Sequence, residues 1–193
     1  CKTKTELDSI MKIIDLGCGK NKVPNSIGLD NVQLPGVDVE HDLLNFPYPF
    51  ENESIDKIYL RHVIEHFAFE NINFIMNECN RILKNDGLLV ITVPHVFSIS
   101  AFIDPTHRSF FTFGSGKFWD ENSSKAYYKE FQFKWKLIRT VCRVNWFDWK
   151  SYRLKKLNNI LSSIIEKRLN KALTSINNPS YADRKVKKLS FQL

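Results

Sequence analysis

The chain of 193 residues has few cysteines, and the four it has, Cys1, Cys18, Cys79 and Cys142, form no Cys-x-x-Cys pair. That argues against a zinc ribbon or a disulfide framework. Reduced, buried thiols fit a cytoplasmic protein. No run of about 18 apolar residues occurs, so no membrane-spanning helix is expected. No charged-then-apolar leader is visible, and the chain opens on Cys1 rather than Met. Glycine is also scarce, at 7 residues. There is no Gly-x-Gly-x-x-Gly, because Lys22 stands where the third glycine would be, which weighs against a dinucleotide dehydrogenase. No internal repeat is evident.

Apolar residues make up 43% of the chain, enough for one sizeable core. Charge is unevenly spread. Residues 1–124 hold 11 basic and 17 acidic side chains, and residues 125–193 hold 17 and 4, together the formal +7. An acidic first part and a basic last part suggest two jobs. We divide the chain accordingly into a domain over 1–150 and a basic amphipathic helix with its tail over 151–193.

Short apolar runs without alternation read as buried strands over Lys12–Leu16, Ser26–Asp30, Gly36–Glu40, Ile55–Leu60 and Leu88–Val93. Between the last two, Ile72, Ile75, Met76, Cys79, Ile82 and Leu83 keep helical spacing, which predicts a helix over Asn71–Lys84. Asn85-Asp86-Gly87 reads as its stop and turn. Phe131 to Leu137 alternates strictly and reads as an antiparallel edge strand, with Val141–Trp149 as a partner. Helical spacing returns over Arg153–Ile176, ends at Asn177-Asn178-Pro179, and a basic tail follows. The expected fold is a doubly wound α/β sheet, mostly parallel and Rossmann-like, with an antiparallel edge strand and a C-terminal helix.

The chemistry concentrates at the strand ends. Ile13-Ile14-Asp15-Leu16-Gly17-Cys18-Gly19 ends a strand in an acid and a Gly-x-Gly turn. Ile27-Gly28-Leu29-Asp30 ends the next strand in a second acid. Glycines let backbone approach a ligand, and a strand-end acid can accept hydrogen bonds from ribose hydroxyls. An acid directly before the glycines suits a positively charged ligand better than a pyrophosphate.

Further pieces follow in order: His41-Asp42-Leu43, Val63-Ile64-Glu65-His66, and Arg81-Ile82-Leu83-Lys84-Asn85-Asp86-Gly87 before Pro94. The ordered set resembles the class I S-adenosylmethionine-dependent methyltransferases over roughly residues 12–120. It is similar to small-molecule members found with polysaccharide- and lipid-modifying enzymes. The resemblance implies S-adenosylmethionine as cofactor. It implies that Asp15, Gly17 and Gly19 pack against the amino-acid and ribose parts. Asp30 would take the ribose hydroxyls, Asp42 the adenine amino group with Leu43 beside the ring, and Arg61 and His62 would lie near the sulfonium. Two departures stand out. Asn21 occupies the family's usual third-glycine position, and Pro24 leaves little room for a first helix.

The acceptor residues are expected elsewhere. His95 follows Pro94 at the mouth of a strand. Asp104-Pro105-Thr106-His107 sits in an aromatic loop of the kind that carries specificity. His95, Asp104 and His107 are therefore the expected groups for acceptor binding or proton removal. The rival is that Asp104 and His107 only pair with each other and shape the loop. No carboxylate set for a metal is evident there, and none is expected. The acceptor is read as an oxygen or nitrogen of a small, glycan-like or lipid-linked molecule. RNA or protein methylation, and a non-catalytic cofactor-binding module, are the alternatives. The basic, aromatic end supports three readings: a packed sheet edge, a peripheral contact with an anionic inner membrane face, and, ranked lowest, nucleic-acid binding. The chain is expected as a monomer or a homodimer.

Overall fold

The computed structural model describes residues 11–121, 135–141, 167 and 187–192. Among the described residues seven strands form one sheet in the order β3-β2-β1-β4-β5-β7-β6. They are β1 (Ile13–Leu16), β2 (Ile27–Asp30), β3 (Val39–Glu40), β4 (Ile55–Arg61), β5 (Leu83–Thr92), β6 (Trp135–Val141) and β7 (Lys187–Gln192). Every neighbouring pair is parallel. The sheet is of the parallel, Rossmann-like kind that the sequence predicts.

Ile14, Leu16, Leu29, Ile58, Leu60, Leu89 and Ile91 are fully buried, as strands covered on both faces require. Helix α1 (Phe69–Ile82) adds Ile72, Ile75, Met76, Cys79 and Ile82 to the same core. At its end Arg81 and the buried Glu78 pair, and Arg81 also donates to the carbonyls of Tyr48 (3.1 Å) and Phe50 (2.9 Å). That pair moors the 48–52 loop to the helix. A second, short helix α2 spans Ser100–Ile103.

Three expectations need correction. The edge strand β6 lies where the alternation places it, but it runs parallel to β7, with Trp135 opposite Lys187 and Val141 opposite Gln192. Alternation reports one exposed face and carries no strand direction. The Asn85-Asp86-Gly87 turn does not separate helix from strand. β5 already begins at Leu83, and the three residues form a bulge between the pairs Ile55–Leu83 and Lys57–Leu88. Asp86 there takes φ +65°, and a Cβ on Gly87 would meet Leu83 at 2.6 Å.

The third correction concerns the tail, whose residues 187–192 form β7 between β5 and β6, with Leu189 and Phe191 fully buried. The predicted strand over 142–149 and the amphipathic helix over 153–176 lie outside the described residues, apart from Lys167.

Candidate functional site

The strand order reverses between β1 and β4, so loops leaving these two strands diverge and open a crevice at their carboxyl ends. Residues 17–26 fill one side and residues 61–66 the other. No helix forms between β1 and β2, as Pro24 suggests, and the glycine turn is held by direct bonds instead. Gly17 and Cys18 donate from their backbone N–H groups to Leu29 O at 2.7 and 3.2 Å. Gly17 has φ +66°, and a Cβ there would sit 2.6 Å from Val63 Cγ2. Gly17→Ala is therefore expected to cost about 1–3 kcal/mol through overpacking. Val63→Ala should recover that part and leave the backbone strain. Urea unfolding of the two single variants and the double variant measures both.

Gly19 also has positive φ, +52°, but a Cβ there would meet nothing within 4 Å. Its N–H instead orients Asp30, donating to Oδ2 at 2.8 Å, while Val32 N–H donates to Oδ1 at 3.2 Å. One acid thus stands at the end of β2 beside an open stretch of backbone. Lys22 Nζ from the same loop and Gly28 N–H from β2 both donate to Asp38 Oδ2, just before β3, at 2.6 and 2.7 Å. The Lys22 hydrogen bond, more than that of Gly28, holds the Asp38 carboxyl below its usual range.

Asp15 is placed differently from the expectation. It is 1% exposed, and its carboxylate accepts from Arg61 Nη2 at 2.6 Å and from Val23 N–H at 2.9 Å. Arg61 also donates to Asn21 O. The register explains the meeting: Asp15 lies opposite Tyr59, and Arg61 sits two residues further on the same face of β4. Arg61 therefore neutralises Asp15 and braces the glycine loop from below. The electrostatic reading of Asp15 toward a cationic ligand is met by this internal cation.

His62 follows β4 in a left-handed conformation, φ +56°, with its side chain largely exposed. Asp42 is exposed just past β3 and caps its own turn, accepting Leu44 N–H at 2.9 Å. Leu43 packs into the core, where Tyr48 Oη donates to its carbonyl at 3.0 Å. Leu43 is 6% exposed.

The segment from His95 to Phe113 follows β5 and is tied to the 61–66 side of the crevice by the Arg108 and Ser109 N–H groups on Glu65 O. His95 pairs with Phe111 in a bridge, and its Nδ1 accepts Phe97 N–H at 3.2 Å. Burial pushes its pKa down, so the ring is neutral near pH 7. With Nδ1 accepting, the proton lies on Nε2, and His95 presents a donor rather than a base. Asp104 and His107 are joined through the backbone, His107 N–H donating to Asp104 O at 3.3 Å, and not through their side chains. Asp104 Oδ1 accepts from Thr106 N–H (2.9 Å) and Thr106 Oγ1 (2.6 Å), and these bonds lower its pKa. His107 Nδ1 donates to Ala101 O at 2.9 Å.

Residues 24–91 match the family model described as "Methyltransferase domain". Over that stretch the chain is similar to a methyltransferase domain, in line with the resemblance carried by its strand-end acids and glycine turn. An uncharacterized protein of Methanocaldococcus jannaschii is 30% identical over 100 residues, which cover 45% of this chain and 38% of that protein. The chain thus spans well under two thirds of that relative. A solved S-adenosylmethionine-dependent methyltransferase from Archaeoglobus fulgidus aligns with TM-score 0.49 and 18% identity, over 82% of this chain and 79% of that one.

S-adenosylmethionine is the cofactor that this similarity implies, and the residues present fit it. The vacant Cβ position at Gly19 leaves room for close approach, and Asp30 keeps acceptor capacity beyond its two backbone donors. Asp30 and the Gly17–Gly19 backbone would hold the ribose side, with Asp42 further along the sheet. No helix of the described residues is long and apolar enough to cross a membrane.

Proposed function

We propose that this chain transfers the methyl group of S-adenosylmethionine to an oxygen or nitrogen of a small-molecule, glycan- or lipid-linked acceptor. Asp30 carries the reading. It is a strand-end carboxylate aimed by the glycine turn toward a crevice at the switch point of a parallel sheet. Bound S-adenosylmethionine supplies an already activated methyl group. The protein's share is then mainly positioning, worth up to about 7–11 kcal/mol for well-oriented reactants.

The residues divide that work. Asp30 accepts the ribose hydroxyls. The Asp15–Arg61 pair and Asp38 fix the turn that frames them. We place the 95–113 segment as a roof on the acceptor side, where His95 Nε2–H can orient an acceptor oxygen. Exposed Phe97, Ile99, Phe102 and Ile103 on that roof support an acceptor with an apolar part.

Calorimetric titration with S-adenosylmethionine tests the first step. Asp30→Ala is expected to weaken binding by about 1–3 kcal/mol, the scale of hydrogen bonds to a charged group. Unchanged affinity would remove Asp30 from the site. No detectable binding to the wild-type chain at millimolar donor would end the reading.

A further inference from the structure

We propose that Glu65, His66 and His107 bind a divalent transition-metal ion, with zinc as the probe of choice. One ligand atom from each residue lies within 4.8 Å of the others. The two imidazole rings stand edge to face, with centroids 4.8 Å apart. Two histidines and one carboxylate are a donor set for zinc or another first-row divalent ion.

Glu65 supplies an independent sign. It is fully buried, and neither carboxylate oxygen takes a hydrogen bond among the described residues. His62 Nδ1 comes within 3.3 Å of Oε1 but outside hydrogen-bond geometry. Buried carboxylates are ordinarily paired, protonated or metal-bound, because an isolated one loses its hydration without return.

The histidines are set for the same job. Ala101 O can only accept, so His107 Nδ1 carries a proton, and the neutral ring's lone pair is on Nε2. Thr106 Oγ1 gives its own proton to Asp104, so it accepts from His66 Nδ1 at 2.8 Å. The lone pair of neutral His66 is again on Nε2. Metal-binding histidines are typically fixed through their other nitrogen in this way. The backbone holds the two segments together: Arg108 and Ser109 donate their N–H groups to Glu65 O at 2.7 and 3.0 Å.

His66 and His107 are partly exposed, and His66 lines a cleft with Phe67, Asn71, Thr106 and Arg108. The remaining coordination positions thus face outward. They suit an oxygen ligand, so on the methyl-transfer reading the ion would hold the acceptor. Asp104 and Thr106 then become positioning residues.

The test uses the untagged full chain, stripped with a chelator and dialysed. Calorimetry with Zn2+ is expected to show one equivalent bound, and Co2+ to give visible absorption bands from a site with nitrogen ligands. Glu65→Gln and His107→Ala should each weaken Zn2+ binding at least tenfold. Thr106→Ala should weaken it about 10-fold or more while leaving the ligands in place. Should Glu65→Gln fail to fold, His107→Ala, whose side chain is partly exposed, still decides. Absence of stoichiometric Zn2+ binding, or equal binding by wild type and His107→Ala, overturns the proposal. S-adenosylmethionine titrated into the metal-free chain reads the donor site separately, so loss of one reading does not imply loss of the other.

Discussion

Phe191→Ala is expected to cost about 3–5 kcal/mol of folding stability, the scale of removing a fully buried aromatic side chain. Its ring is 0% exposed. It packs against Phe111 and Trp119 at centroid distances of 5.8 and 6.0 Å. The backbone of Gly116 also lies against it, since a Cβ there would meet Phe191 at 3.1 Å. The loss therefore reaches two layers at once. One is the sheet, where Phe191 lies opposite Ile91 of β5 and Thr140 of β6. The other is the 111–119 segment that anchors the roof of the site. Guanidinium unfolding measures the first. The second should show as easier proteolysis of the roof under conditions where the fold persists. A solvated basic tail would give almost no change in either.

That contrast marks where sequence reasoning stops. β1, β2, β4 and the central part of β5 are legible because each is a continuous apolar run bounded by turn residues, and burial on both faces requires that pattern. The glycine turn and Asp30 are legible because close backbone approach and ribose binding need those residue types at a strand end. β7 is different. Leu189 and Phe191 are only two apolar residues beside a run of lysines, and β5, a hundred residues earlier, decides that they form a strand. The direction of β6 is set by β7 in the same way.

The site shows the same limit. Asp15 reads as a ligand group until β4 places Arg61 beside it. His107 reads as an acceptor group or as the partner of Asp104, and its nearness to Glu65 emerges only because the backbone of Glu65 captures residues 108 and 109. Contacts across 40 or more residues leave no local trace, whereas periodicity and turn chemistry do.

Arg61→Ala should destabilise the fold by about 3 kcal/mol, because it strands a buried carboxylate. Asp15 would keep only the Val23 N–H as partner, at 1% exposure, and Asn21 O would lose its donor. Arg61 itself is one third exposed, so water can enter and hold the cost near the lower end for a buried pair. Adding Asp15→Asn removes the stranded charge, and the double variant is expected to regain most of the stability. Donor affinity separates two roles for Arg61. If Arg61 acts by bracing the glycine loop, S-adenosylmethionine binding falls in Arg61→Ala and recovers in the double variant along with the fold. If the guanidinium touches the ligand, stability returns and affinity does not. The geometry favours bracing, since Nε and Nη2 are already committed to Asp15 and Asn21. A recovery of affinity within about twofold would make the pair a scaffold for Asp30, and Asp30 the group that meets the ligand.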